Sequence, residues 1–284
     1  MILVTGATGK VGGEVLKQLA AKGEQCRAMV RDLKKAAPLK GDNIELVQGD
    51  YDKMDSVEKA LKGCEKLFLV SVARQTMGEP EFPVITAAKK AGIKHIVRVS
   101  ALGAHVSADS HLLKWHGYND TNLRKIGVPY TILKPHYFMQ NFYMFVDGIK
   151  KQGAFYAPMK EGKIAAIDVR DIADCAVSTL LGKGHNGKAY DLTGGESLTM
   201  AQYAEKLSSA CGKTIKYVDI PPAEAKKAML GMGMPDFFAD GLVALYTNWS
   251  TGGAEKVSDA VEKLTEHAPR SFDAFAKEFA GAVR

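Results

Sequence analysis

Short apolar runs alternate with amphipathic stretches through the first half of the chain. The run Ile2–Val4 stops at a glycine turn, after which Val11, Val15, Leu16 and Leu19 recur at helical spacing. Apolar runs at 25–30, 44–47, 67–70, 95–100 and 128–133 predict five further strands. Between them the pattern predicts helices over 53–61, over 81–91, and from Asp109 or Ser110 to about Ile126. Leu112, His116 and Leu123 share a stripe of the last, and Gly127 stops it. The run at 67–70 has no polar interruption, as expected of a strand covered on both faces. Five strand–helix alternations without repeats or low-complexity segments predict an α/β fold built on a doubly wound parallel sheet.

The second half has shorter periods. Strands are expected at 164–167 and 189–192, and helices at 169–181, 199–210, 222–231, 236–249 and 270–281. The expected division is a Rossmann domain over 1–150, with 164–193 packing back on it, and a smaller C-terminal α/β substrate lobe over 194–284. Residues 229–238 are rich in methionine and broken by glycine, a composition suited to a lid that adapts to its ligand.

Strand, glycine turn, helix is the setting in which Gly6-x-x-Gly9-x-x-Gly12 reads as a dinucleotide site. A side chain at Gly6 or Gly9 would keep a pyrophosphate from the amides at the helix start, and Gly12 lets the helix lie close to the strand. Gly6, Thr8, Gly9, Lys10, Val11 and Gly12 are therefore the expected cofactor contacts. The second strand ends in Arg31-Asp32, with Lys34 and Lys35 close behind. An arginine there suits a 2′-phosphate and an inward Asp32 a 2′-hydroxyl, so the placement favours NADP(H) with NAD(H) possible. Asp50 follows the third strand and reads as an adenine contact or as a cap for the helix over 53–61. Ser71 and Val72 end the fourth strand, where ligands of open α/β sheets collect.

Composition narrows the setting. The 284 residues are 46% hydrophobic and 25% charged, as in an ordinary globular protein. The net charge of +6 is spread along the chain, which suits an anionic cofactor and gives no reason to expect nucleic acid. Four separated cysteines without a Cys-x-x-Cys suit reduced thiols. No apolar run reaches membrane-span length, and a strand beginning at residue 2 leaves no room for a cleavable signal, so a cytoplasmic setting is expected. The histidines share no ligand spacing, so no metal is expected. Gly-x-Ser-x-Gly is absent, which removes the α/β-hydrolase reading.

VTGATGKVGG near the start, VRD at 30–32, HIVRVSALGA at 95–104 and His116 followed by VPYTILKPHYFMQN carry a resemblance, as do IDVRDIA from 167 and the late YDLTGGESLT. The chain resembles the atypical short-chain dehydrogenases/reductases of the NmrA-like group, near the NADPH-dependent quinone reductases and triphenylmethane-dye reductases. The group also holds non-enzymatic redox sensors. Ordinary members of the superfamily carry Tyr-x-x-x-Lys on the helix after the fifth strand; here that place holds His116-Gly-Tyr-Asn-Asp120, without a lysine. Tyr130 to Lys134 falls on a strand and Tyr156 to Lys160 contains Pro158, so neither forms a helical pair.

The resemblance implies His116 as acid or orienting group, Asp120 fixing its tautomer, and Ser100 as a substrate-orienting hydroxyl. Backbone at Lys134 and Pro135 is expected to face the nicotinamide. Phe138, Asn141 and Phe142 are the expected walls of a slot for a flat aromatic substrate. The expected function is an NADPH-dependent oxidoreductase acting on a quinone-like or conjugated aromatic acceptor, the alternative being an NADP(H)-binding sensor that acts through a protein partner. Neither the physiological substrate nor the oligomeric state is legible.

Overall fold

The computed structural model describes residues 1–70 and 81–284. The expectations for Ser71 and Val72 therefore lie outside the described residues. Two compact units share the chain. The first holds Met1–Ser107, Leu113–Lys134 and Val169–Asp191; the second holds Ala108–Leu112, Pro135–Asp168 and Leu192–Arg284.

The first unit follows the alternation read from the sequence. Its elements are β1 (Ile2–Val4), α1 (Lys10–Ala21), β2 (Cys26–Val30), α2 (Leu33–Ala36), β3 (Ile44–Gln48) and α3 (Met54–Leu61). They continue with β4 (Lys66–Leu69), α4 (Glu81–Lys90), β5 (His95–Val99), α5 (His111–Lys125) and β6 (Tyr130–Pro135). The strand order is β3-β2-β1-β4-β5-β6, with Lys188–Leu192 beyond β6, and the pairings from β3 through β6 are parallel. This is the doubly wound Rossmann order, which reverses direction between β1 and β4 and opens a crevice at the carboxyl ends of those strands.

Both sheet faces are covered. Val57, Ala60 and Leu61 of α3, Val84, Ile85 and Ala88 of α4 and Leu123 of α5 pack on Leu3, Leu67, Leu69, Ile96 and Ile132 from the strands. α1 packs against the helix Val169–Leu181, and Val11, Val15, Leu16 and Leu19 form its buried stripe. No helix among the described residues is long and apolar enough to cross a membrane.

The second unit, which also takes Ala108–Leu112, resumes at Pro135 where β6 ends, whereas the sequence places the boundary near residue 150. After Pro135 the backbone bonds within its own unit: His136 N–H to the Leu192 carbonyl, Met139 N–H to that of Ile167, and Ile167 N–H to that of Tyr137. These bonds, with Gly194 N–H to Ala165 and Ala166 N–H to the Tyr203 hydroxyl, leave Lys163–Ile164 as a two-residue strand where 164–167 was expected. It pairs with Leu198–Thr199, and Ala154–Ala157 pairs in parallel with Lys216–Asp219. Thr199 and Gln202 form a capping box at the start of helix Met200–Cys211, which packs on Phe272–Val283. Residues 229–238 form a junction between helices Pro222–Gly231 and Asp236–Ser250, turning at Gly233 with φ +80°.

Among the aromatic residues near 140, Tyr137 and Phe142 are buried and Tyr143 is exposed. Residues 139–145 form a 3-10 helix, whose three-residue turn aligns Met139, Phe142 and Phe145. Phe142 is wholly buried, with Tyr203, Phe272 and Phe155 rings 5.1, 5.0 and 6.0 Å away. This corrects its placement in an open substrate slot: the 3-10 phase turns the ring inward. Phe142→Ala should cost about 3–5 kcal/mol in denaturant unfolding. A loss below about 1 kcal/mol would show that the ring is not core.

Candidate active site

The turn after β1 is built around an absence of side chains. Gly6 has φ +60°, and a Cβ there would stand 2.7 Å from Val70 Cγ1. A Cβ on Gly12 would stand 2.3 Å from the Gly6 carbonyl oxygen and 2.9 Å from that of Thr5. Gly6, Thr8, Gly9 and Lys10 are exposed, whereas Val11 and Gly12 are buried beneath them. Gly9 caps α1 without a side-chain hydrogen bond, and no acidic residue occupies the first turn. An exposed, uncapped helix start behind glycines fits a diphosphate, because amide dipoles and backbone access favour a bound anion.

Thr5, passed over in the sequence, ties this turn to the neighbouring strand. Its hydroxyl lies 3.1 and 3.2 Å from the carbonyls of Phe68 and Val70 and accepts the Val70 N–H at 3.0 Å. A threonine ending a strand gives no sequence signal of a bond to a segment 65 residues away.

At the end of β2, Arg31 is exposed. Asp32 is turned to its own chain: Oδ1 accepts the N–H groups of Lys34 and Lys35 as the cap of α2. Asp50 is half-buried, and its Oδ1 accepts the Asp52 N–H in the turn before α3, whose own N-cap is Lys53.

Between α4, α5 and the ends of β5 and β6 lies a buried polar cluster. Arg98 of β5 is fully buried; its Nε donates to Glu81 Oε2 at 2.5 Å, and Nη1 to Asp120 Oδ1. Nη2 stands 3.2 Å from His116 Nδ1, and the guanidinium carbon is 6.0 Å from the Trp115 ring centre. Ser100 Oγ donates to Asp120 Oδ2 at 2.9 Å, and Lys134 Nζ lies 3.7 Å from the same oxygen. Two carboxylates thus face two cations, the balance a buried ionic group requires. His116 keeps part of its surface open, and burial first, then the Arg98 charge, hold its imidazole well below the ordinary pKa.

A family model for the NmrA-like family matches residues 1–276. The chain belongs to the NmrA-like family. It is 38% identical to the NAD(P)H azoreductase of Xenophilus azovorans over 282 residues, covering 99% of both chains. The structure superposes with a TM-score of 0.89 on an NADPH-dependent quinone oxidoreductase of Escherichia coli complexed with NADPH, 31% identical and covering 98% of this chain and 99% of that one. The triphenylmethane reductase of Citrobacter sp., complexed with NADP(H), gives a TM-score of 0.88 at 28% identity, covering 99% and 100%.

In this NmrA-like chain two of the expected roles on α5 and β5 are differently distributed. Asp120 does not hold the His116 ring; its two oxygens go to Arg98, Ser100 and Lys134. Ser100 is 4% exposed and gives its hydroxyl hydrogen to Asp120, so it supports the cluster. Lys134, at the end of β6, reaches Asp120 from the strand. Tyr118 is 46% exposed. In the second unit, Phe138 and Asn141 are half-buried, and the Asn141 carboxamide has no partner among the described residues.

His136 Nε2 meets the Ala254 carbonyl at 2.9 Å while Nδ1 accepts the Tyr137 N–H, so this buried ring is neutral and structural. Burial lowers its pKa from 6.5 to about 4. A histidine depressed on folding contributes stability that is complete above pH 6.5 and lost as pH falls toward 4, because the unfolded chain takes up the proton first. This ring should therefore lower the unfolding free energy by about 2 kcal/mol between pH 7 and pH 5. His136→Asn should narrow that difference. Equal stability at the two pH values would contradict the assignment.

Proposed function

We propose that the protein is an NAD(P)H-dependent oxidoreductase that prefers NADPH and reduces a quinone-like or conjugated aromatic acceptor. The observation that carries the reading is the exposed glycine turn at the head of α1, which has no room for a Cβ at Gly6 or Gly12. Gly6, Thr8, Gly9, Lys10, Val11 and Gly12 surround the diphosphate. Arg31 takes the 2′-phosphate, since Asp32 is engaged in capping α2 and leaves the basic residue to face the ribose. Asp50 lies toward the adenine, and backbone at Lys134 and Pro135 toward the nicotinamide.

The relatives support the reaction class: their names join NAD(P)H to the reduction of azo compounds, quinones and triphenylmethanes. When bound, the nicotinamide supplies a hydride. His116 offers a hydrogen bond to the electron-accepting atom, and Phe138 and Asn141 are proposed acceptor contacts. A quinone that has taken a hydride needs one proton to become a hydroquinone, and solvent provides it. Because such acceptors are electron-poor, fixing the approach matters more than a strong acid. No observation favours the sensor reading over this one.

A panel of quinones, azo compounds and triphenylmethane dyes, followed by NADPH oxidation at 340 nm, tests the reading. Turnover of at least one class is expected. Arg31→Ala should erode the preference for NADPH over NADH by about ten- to a hundredfold, the worth of a charge-assisted hydrogen bond. Tight NADPH binding with no turnover of any acceptor would overturn the enzymatic reading, and an unchanged coenzyme preference would remove Arg31 from the site.

A further inference from the structure

His116 is held by a group that can only donate. A guanidinium has no acceptor, so at 3.2 Å from Arg98 Nη2 the His116 Nδ1 must be the accepting nitrogen. In a neutral ring the hydrogen then sits on Nε2. The charged groups around the ring leave this arrangement intact. Glu81 from α4 is bound to Arg98 Nε, Asp120 from α5 to Arg98 Nη1 and to Ser100 of β5, and Lys134 from β6 faces Asp120. Arg98 has no freedom to turn, with two carboxylates, the imidazole and the Trp115 ring around a guanidinium that is wholly out of solvent. Nε2 has no partner among the described residues, and the ring keeps part of its surface open.

We propose that Arg98 is a positioning residue: it fixes His116 in the Nε2–H tautomer, so that a neutral imidazole donates the hydrogen bond to the electron-accepting atom of the acceptor. The proposal rests on the reading above in which His116 meets the acceptor, and it changes what that residue does. A neutral imidazole polarises an acceptor without surrendering its proton, as a hydrogen-bond donor aimed at developing negative charge. The burial and the Arg98 charge that disfavour the imidazolium act in the same direction.

The test is nitrogen-15 NMR of histidine-labelled wild-type protein from pH 5 to 8, with the His116 signals assigned by their loss in His116→Gln. The expected result is one protonated nitrogen, Nε2, unchanged over the range. A proton on Nδ1, or titration within the range, overturns the proposal. Arg98→Lys keeps a cation for Glu81 and Asp120 but removes the fork that reaches His116. It should give mixed tautomers and lower kcat with a quinone about ten- to a hundredfold, with KM for NADPH changed less than about twofold. An unaltered tautomer and kcat overturn the proposal, and the wild-type spectrum decides if this variant does not fold. Reduction of quinones by a protein whose His116 carries Nδ1–H would sink the proposal alone. An Nε2–H tautomer without reduction of any acceptor would sink the functional reading and the proposal together.

Discussion

No side chain fits between the first helix and the turn that feeds it. The Gly12 Cα lies against the Gly6 carbonyl so closely that one added carbon would sit 2.3 Å from it. That approach fixes the start of α1 relative to the end of β1, and the Thr5 hydroxyl then fixes β1 to the end of β4. The strand order reverses between these two strands. Backbone amides, a helix dipole and a topological crevice thus converge, and an anion is the ligand such a convergence favours.

A second constraint operates where charge is buried. Arg98 stands in the middle of a parallel strand, where apolar residues normally fill both faces. Its burial is sustained by Glu81 and Asp120, and removing any one member would leave an unpaired charge, a change that costs roughly 3–5 kcal/mol. The same cluster sets the surroundings of His116. A neutral ring beside a fixed guanidinium is a poor proton source and a good oriented dipole. For an acceptor with high electron affinity, orientation is the greater need.

How much could be read in advance depends on how local each signal is. The glycine turn lies within seven consecutive residues, and α1 and the helix Val169–Leu181 show their periodicity plainly, so the sheet and its crevice follow from the sequence. Arg98 reads there only as a charge inside HIVRV, and its partners stand 17 and 22 positions away. The resemblance pairs Asp120 with His116, whereas the fold supplies Asp120 with a charged partner from the strand beneath. Phe142 reads in the sequence as one aromatic among several, and the rings that bury it come from residues 155, 203 and 272, far along the chain. That the second unit takes up the chain at Pro135 is equally remote from local signals. The hydrogen bonds that carry residues 136–139 into the second unit are made with residues 167 and 192.

In the proposed function the amino-terminal turn holds a nicotinamide dinucleotide by its backbone. Isothermal titration of NADPH into the folded protein addresses it without depending on any acceptor. Saturable binding at one equivalent per chain is expected. Absence of binding by both NADPH and NADH, in protein whose circular dichroism shows it folded, would contradict it.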